Sequence, residues 1–311
     1  CFLQTVLIGN QKRPYGLDHL NSSRYNVFIE RPFVTEALNQ DARRIGVASY
    51  GNSEDLAWNW RYGVFNMANV ATEGRYVGDT LQPEIAARLA HTAWYDEESE
   101  GRNYAHFAVS GSIAWPDGNP SDPDAPNEAR FRTRPEARTE SRWLDTGRIA
   151  DTEHYGIVGV ETALNFGPVQ VVAEAQQVWL HRSGPMRDLE FYGAYVYVSY
   201  FLTGEHMPWD RKSGTLGRPK PAKNFKLGHG LGAWQVAARY SYADLSDEDV
   251  LGGVGRAVTL AVNWYWNPNA SLQLNYTFGD IFQRDVFSPT AGRDFRSGDY
   301  ELFGARFRVD F

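Results

Sequence analysis

Cysteine is almost absent from this 311-residue chain. Its one copy is Cys1, so neither a disulfide framework nor a cysteine-ligated metal site can form within the chain. Long apolar runs are also missing, because no stretch approaches the roughly 18 consecutive apolar residues that a membrane-spanning helix needs. The net charge of −7 argues against a nucleic-acid-binding protein. Disulfide-stabilised secreted domains, helical membrane proteins and basic nucleic-acid-binding proteins are therefore disfavoured.

Common catalytic signatures are missing as well. The chain has no Gly-x-Ser-x-Gly, no His-Glu-x-x-His and no phosphate loop ending in Gly-Lys-Ser or Gly-Lys-Thr. Its seven histidines have no obvious serine or aspartate partners in the sequence. Catalytic groups can lie far apart in a sequence, so a barrel-based hydrolase remains an alternative. The sequence predicts no enzyme, no cofactor and no metal site.

What the chain does contain is strict alternation. In the last segment, residues 299–311, one face carries Phe303, Phe307 and Phe311 and the other carries Arg306 and Arg308. A period of two indicates an extended strand with one apolar and one wet side. Such a strand could be the edge of a soluble sandwich or the last strand of an outer-membrane β-barrel.

The same alternation recurs along most of the sequence and favours the barrel. About twelve strands can be recognised, and most approach the ~10 residues that cross a bilayer at a tilt. The aromatic content of 14% suits girdles at two membrane interfaces. The alternation predicts two sets of side chains. The outward set is Trp58, Trp60, Trp234, Trp264, Trp266, Phe303 and Phe307, and the inward set is Arg61, Arg239, Arg306 and Arg308.

The connections between the predicted strands differ on the two sides. Tight turns are expected at 167–168 and 267–269, because Pro and Asn suit such turns. Long polar connections are expected on the other side, at 10–42, 66–83, 116–152, 244–254 and 281–298. Short turns on one side and long loops on the other are typical of outer-membrane barrels. The stretch 203–231 is an exception, because it is long, basic and on the short-turn side.

One of the long connections contains a row of arginines. Arg130, Arg132 and Arg134 are spaced by two residues, so in an extended segment they point the same way with Cα atoms about 6.6–7 Å apart. Their planar guanidinium groups suit phosphate oxygens. Arg138 continues the row after Pro135. The alternative is a solvated loop whose arginines pair with nearby carboxylates, namely Asp122, Asp124, Glu128, Glu136 or Glu140.

Four stretches resemble the phosphate- and polyphosphate-selective outer-membrane porins. They are 16–24 followed by Glu30 and Arg31, the arginine row 130–138, the Leu-Thr-Gly-Glu stretch at 202–205, and the strand region from 231–234 to 262–265. The resemblance implies a sixteen-stranded, trimeric barrel in the bacterial outer membrane. With about twelve strands recognised, some four N-terminal strands of the single domain 1–311 are expected to be missing.

The resemblance also implies a set of pore-lining residues. The loop 10–42 would fold inward and narrow the pore, and the loop 116–152 would carry the arginine ladder. Independently of the resemblance, the length of the segment 203–231 on the short-turn side predicts that it folds partly into the lumen and brings Lys212, Lys220 or Lys223 to the pore wall near the periplasmic mouth. The expected anion-binding residues are His19, Ser22, Ser23 and Arg24 in the first loop, Arg130, Arg132, Arg134 and Arg138 in the second, and Lys212, Lys220 and Lys223 in the third segment.

His19 stands where the resemblance implies a lysine. With an ordinary pKa near 6.5 it would be mostly neutral at pH 7.5 and would gain charge as the pH falls. A pH-dependent conductance is therefore expected if His19 lies at the constriction.

Together these observations predict a passive channel for small anions such as phosphate. It would be an integral outer-membrane protein in contact with lipid, forming a homotrimer without nucleic acid. A sugar or general diffusion channel is the alternative in the same class. Such a channel would need aromatic rings along its path, and Tyr195 and Tyr197 are candidates for them.

Overall fold

The computed structural model contains one large antiparallel sheet of twelve strands. It describes residues 2–39, 43–68, 81–117, 127, 129–284 and 297–310, and the backbone of 287–288 and 293–294. The strands are β1 Thr5–Lys12, β2 Arg43–Asn52, β3 Trp58–Asn66, β4 Pro83–Tyr95, β5 Asn103–Ala114, β6 Thr152–Phe166, β7 Val169–Arg182, β8 Leu189–Phe201, β9 Ala233–Asp247, β10 Val250–Asn267, β11 Ala270–Arg284 and β12 Gly298–Val309.

The sheet is a simple meander, in which each strand pairs with its neighbours in the chain, and β1 and β12 stand at the two ends of the order. The twelve strands expected from alternation are confirmed. Two short helices, α1 Leu17–Leu20 and α2 Phe33–Leu38, lie in the connection between β1 and β2. Among the described residues, neither helix is long and apolar enough to cross a membrane.

The two faces of the sheet have the reverse polarity of a soluble protein. On one face Asn263 and Gln273 are completely buried, whereas on the other Phe303 is 71% exposed. A soluble sandwich would bury its aromatic rings and expose its amides. A barrel in lipid does the opposite, because its outer wall meets hydrocarbon and its lumen is polar.

The polar face is concave, because a single connection contacts the same face of many strands. The segment between β1 and β2 bonds to Glu84 of β4, Glu174 of β7 and Ser241 of β9. It also accepts hydrogen bonds from Asn263 of β10, Gln273 of β11 and Arg306 of β12. Elsewhere in the chain, Ser213 contacts Arg61 of β3 and, five residues later, Arg218 contacts Asp310 at the end of β12. Nine strand spacings in a flat sheet would be about 43 Å, far more than the ~18 Å that five residues can span, so the sheet curves around these segments.

The predicted facing of the side chains is confirmed. Arg61, Arg239 and Arg306 all donate to backbone carbonyls of segments inside the curved sheet, at Ser213, Glu30 and Ile29 respectively. Arg308 lies on the same face as Arg306, two residues along β12. The predicted aromatic residues have the opposite parity, and Trp58, Phe303 and Phe307 are exposed. Phe311 lies outside the described residues.

One predicted long connection, 244–254, is wrong. Asp247 pairs with Val250, so β9 and β10 are joined by a two-residue turn at Glu248 and Asp249. Glu248 has a φ of 48°, a left-handed conformation that closes the turn. The polar residues that suggested a loop belong to the ends of two long strands. The predicted connections 66–83, 116–152 and 281–298 lie partly outside the described residues.

Fluorescence quenching of labelled cysteines on β12 should show which of its side chains face lipid and which face water. In a Cys1→Ser background, a fluorophore on Phe303→Cys or Phe307→Cys should be quenched by brominated lipid, because these side chains face the bilayer. The same fluorophore on Gly304→Cys should be quenched by aqueous iodide instead. Equal lipid quenching at positions 303 and 304 would contradict the assigned faces.

Candidate pore-lining site

Three segments fill the concave side of the sheet. The first is the inward loop 13–39, and the second is the arginine segment 129–149. The third is the first half of the basic connection, the inserted segment 207–218. A buried loop has backbone groups that need hydrogen-bond partners, and the inward wall supplies them. The inward position predicted for the loop 10–42 agrees with these contacts for its described residues.

Glu174 of β7 fastens the start of the inward loop. Its two carboxylate oxygens accept hydrogen bonds from the backbone N–H groups of Leu17, at 2.6 Å, and Asp18, at 2.7 Å. The Tyr195 hydroxyl donates to the same carboxylate. The sequence analysis missed Glu174, because its inward parity gives no sign that a loop docks on it.

His19 is buried, with 2% of its surface exposed. Burial, with Arg31, Lys12 and further cationic groups nearby, lowers the pKa of the His19 imidazole well below its usual range. The prediction that His19 would titrate near pH 6.5 at the constriction is therefore wrong. Two cations contact α1. The Lys12 ammonium group donates to the carbonyls of His19 and Asn21 at 2.6 and 2.8 Å, and Arg31 forms an ion pair with Asp18 at 2.7 Å.

Ser23 and Arg24, by contrast, are exposed, and Ser22 is half-buried. More than half of the Arg24 side chain is accessible, and its Nε lies 3.8 Å from Asp310. Arg218 of the inserted segment contacts the same carboxylate at 2.8 Å. Its hydrogen bond holds the pKa of the Asp310 carboxyl below its usual range, with further contributions from Arg308 and Arg24. We call Arg24, Arg218, Arg308 and Asp310 the mouth cluster, which contains three arginines and one carboxylate.

The arginine segment has the extended geometry that its spacing predicts. Arg130, Arg132 and Arg134 are half-buried, whereas the residues that alternate with them, Ala129, Phe131 and Thr133, are buried. A short hairpin pairs Arg132–Thr133 with Leu144–Asp145. Pro135 ends the regular run, and Glu136 follows with a φ of 56°. The first three arginines therefore share one side, as expected.

The arginines differ in their ion pairing. Arg130 makes a bidentate contact with Asp145, at 2.8 and 2.6 Å. Arg134 binds Glu36 of α2 at 2.6 Å. Arg138 is different, because 80% of its side chain is exposed and its Nε is 3.4 Å from Glu30. Asp122, Asp124 and Glu128, which the sequence offered as partners, lie outside the described residues.

Glu136 connects the arginine segment to the wall. Its buried carboxylate binds the buried Arg239 guanidinium of β9 and accepts a hydrogen bond from Thr259 of β10 at 2.8 Å. Arg239 also donates to the Glu30 carbonyl at 3.0 Å. One ion pair thus joins two inserted segments and two strands. Removing one partner of such a pair leaves an uncompensated buried charge.

The basic connection 203–231 divides into two halves. In the inserted segment 207–218, Trp209 donates to Thr92 at 3.2 Å and the Leu216 N–H donates to Asn21 at 3.0 Å. Lys212 lies in this half, with its carbonyl bonded to Asn59 and its side chain exposed. Lys220 follows it and is exposed. The second half leaves the concave side and takes Lys223 with it. The structure therefore does not place Lys223 at the inner wall, where it was predicted to lie.

Comparison with known proteins gives the family. The family model described as "Phosphate-selective porin O and P" matches residues 4–311. The chain belongs to this porin family. An uncharacterized protein of Caulobacter vibrioides is 28% identical over 320 residues, which cover 98% of this porin and 59% of that protein. Porin O of Pseudomonas aeruginosa is 27% identical over 128 residues, or 38% of this porin and 28% of the other chain. This porin thus spans about three fifths of its Caulobacter relative.

Solved structures show the same fold. Outer-membrane expressed OmpT of Vibrio cholerae has a TM-score of 0.51 at 11% identity, over 98% of this porin and 76% of that chain. The anion-selective porin from Comamonas acidovorans has a TM-score of 0.51 at 12% identity, over 97% of this porin and 74% of that chain. The family identifies this chain as an integral outer-membrane protein, and the solved structures show that it has a β-barrel fold.

We expect Glu174→Gln to loosen the inward loop. An amide presents only one acceptor oxygen, so one of the two loop N–H groups should lose its partner. Single-channel current should become noisier and its mean conductance should rise. Glu190→Gln, on an exposed position of the neighbouring β8, is the matched control. A Glu174→Gln channel as quiet as the control would contradict an anchoring role.

We expect conductance to be independent of His19 titration. Because the pKa of His19 lies well below 6.5, the imidazole should stay neutral as the pH falls from 7.5 to 5.5. Single-channel conductance in KCl should therefore change equally in the wild type and in His19→Gln. A rise at pH 5.5 that His19→Gln abolishes would show that His19 gains a proton in the channel.

Proposed function

We propose that this protein is a passive outer-membrane channel for small anions, phosphate among them, with no chemical step. The observation that carries the proposal is the mouth cluster, where three arginines surround a single carboxylate beside the inward loop. Phosphate selectivity is named in the description of the family, and anion selectivity in that of the Comamonas neighbour.

The arginines take two roles in this proposal. Arg130 and Arg134 hold the arginine segment in place, because Asp145 and Glu36 occupy their guanidinium groups. Arg132 lies between them on the same side of the segment. Arg138 is the exposed member of the row and meets anions on the long-loop side of the inward loop. Its only described carboxylate contact, to Glu30, is at 3.4 Å.

The mouth cluster meets anions on the other side of the inward loop. Arg24, with its neighbours Ser22 and Ser23, supplies charge and hydrogen-bond donors there. Arg218 offsets the charge of Asp310, so the mouth cluster keeps a net positive charge. Planar guanidinium groups bind phosphate oxygens in pairs, and several weak sites conduct better than one strong site. The exposed Lys212 and Lys220 add to the positive potential, which raises the local anion concentration. A homotrimer of such channels is part of the proposal.

The sugar-channel alternative has less support. Tyr195 and Tyr197 do face inward with parallel rings, 6.3 Å apart. Both side chains are buried, and their hydroxyls donate to Glu174 and Gln170. Rings that are covered in this way do not offer a surface on which a sugar could stack.

The hydrolase alternative is also weaker. His106 and Glu161 lie 2.9 Å apart on the inner wall, a distance that general acid–base chemistry could use. However, His106 is completely buried, and its ring packs against Trp209 at 4.4 Å. An imidazole covered by an indole cannot reach a substrate.

The test is the reversal potential in a KCl gradient. In the double variant Arg24→Ala/Arg218→Ala we expect the chloride-to-potassium permeability ratio to fall by roughly threefold or more, because fixed positive charge recruits anions. The loss should be largest at low ionic strength, where screening is weak. Folding is checked by heat-modifiable migration, and the experiment is repeated with phosphate.

Arg187→Ala is the matched control. Arg187 is also exposed and contacts a carboxylate, Glu248 at 3.0 Å, but it lies in the turn between β7 and β8 at the rim. It should leave the permeability ratio unchanged. A correctly folded double variant with wild-type selectivity would refute the role of the mouth cluster.

A further inference from the structure

The second half of the basic connection folds back onto the outside of the wall. Residues 222–232, which we call the rim hairpin, close on themselves through backbone bonds between Lys226 and Gly230 at 3.1 and 3.0 Å. The Phe225 N–H donates to the Trp266 carbonyl at 2.6 Å. The Phe225 ring meets the Trp264 ring edge to face at 4.9 Å. Because Trp264 faces outward on β10, the rim hairpin covers the outer surface at the short-turn end.

An unbroken row of aromatic rings continues from this contact. Trp234 stacks on Trp264 at 4.9 Å, Trp264 contacts Trp266 at 5.3 Å, and Trp266 contacts Phe307 at 5.2 Å. The indole N–H groups of Trp234 and Trp264 both donate to the Leu231 carbonyl. Rings with this arrangement, apolar outside and hydrogen-bonded at the rim, suit the interface between hydrocarbon and headgroups.

The rim hairpin adds apolar and basic groups to that row. Leu227 is 86% exposed and Leu231 72% exposed. Lys223, Lys226 and His229 are exposed beside them. A cavity of about 790 Å³ lies between the hairpin and the end of β8, and Lys223, Phe225 and Leu227 are among its lining residues. The carboxylate in that lining, Glu205, is held by Thr203 and by the Ala222 N–H.

We propose that the rim hairpin is a binding site for an anionic phospholipid of the leaflet on the short-turn side. The acyl chains lie along Phe225, Leu227 and the aromatic row, and the phosphate lies at Lys223 and Lys226. The surface is continuous with the lipid-facing wall, and its exposed lysines complement an anionic headgroup. Large exposed apolar side chains beside lysines fit the membrane interface better than water. This site is separate from the proposed anion pathway.

The test is lipid retention by the purified full chain, measured by native mass spectrometry with phosphatidylglycerol or phosphatidylethanolamine. In Lys223→Gln/Lys226→Gln we expect phosphatidylglycerol retention to fall at least about fivefold, with little change for phosphatidylethanolamine. In Phe225→Ala/Leu227→Asn both lipids should be lost. Two control variants should bind lipid as the wild type does. Lys220→Gln changes an exposed lysine of the basic connection outside the rim hairpin, and Leu251→Asn changes an exposed leucine at the opposite rim.

Three results would overturn the proposal. Unchanged phosphatidylglycerol retention in Lys223→Gln/Lys226→Gln would show that these lysines do not bind the lipid phosphate. Displacement of the lipid by inorganic phosphate would mean that the site takes a free anion. Dissociation of subunits in Phe225→Ala/Leu227→Asn would mean that a second copy of the chain covers the hairpin. The lipid-site variants should keep the wild-type reversal potential, so failure of this site and failure of the proposed channel function are distinguishable.

Discussion

The structure depends on the need to supply hydrogen-bond partners to the backbone of a loop that runs along the inside of the sheet. The inward loop places peptide groups where the wall must supply their hydrogen-bond partners, and an unpaired buried group would cost free energy comparable to a lost hydrogen bond. Glu174, Ser241, Asn263, Gln273 and Arg306 meet this need from five strands. The polarity of the inner face therefore positions the loop. This requirement also explains why Asn263 and Gln273 can be completely buried.

The same constraint divides the charged residues into two groups. Some hold the inserted segments in place. Glu136 and Arg239 do so as a buried ion pair, and Glu36 does so by binding Arg134. Others remain accessible, as Arg138 and Arg24 do. A paired guanidinium has its donors occupied and its charge largely offset, whereas an exposed one still attracts anions. Counting arginines along the chain does not separate these groups, because partners such as Glu36 of Arg134 lie on other segments.

The basic connection shows how one stretch of sequence can serve two environments. Its first half carries Trp209 and Leu216, which are buried among the inward side chains. Its second half carries Phe225, Leu227 and Leu231, which meet the outward aromatic row or remain exposed. The lysines in between belong to neither surface by sequence alone. Their position depends on the apolar residues beside them, because Trp209 and Leu216 pack inside the curved sheet and Phe225 packs against its outer face.

The sequence by itself determined the strands, their facing and the family resemblance. A period of two can be read locally, and a slip of one residue would invert every face, so Arg306 and Phe307 could be assigned to opposite sides without coordinates. The extended run from Arg130 to Arg134 was predictable for the same reason. The turn at Glu248 and Asp249 was not, because polar residues occur both in loops and at the ends of long strands.

Only the tertiary structure decided which predicted site residues are accessible. His19 and Arg24 lie five residues apart in one loop, yet the first is buried among cations and the second is exposed beside Asp310. Asp310 is 286 positions from Arg24 in the numbering, and Arg218 comes from a third segment. Burial and ion pairing depend on contacts between residues far apart in the chain. Local periodicity carries no information about such contacts, because it fixes the direction of a side chain but not what comes to lie against it.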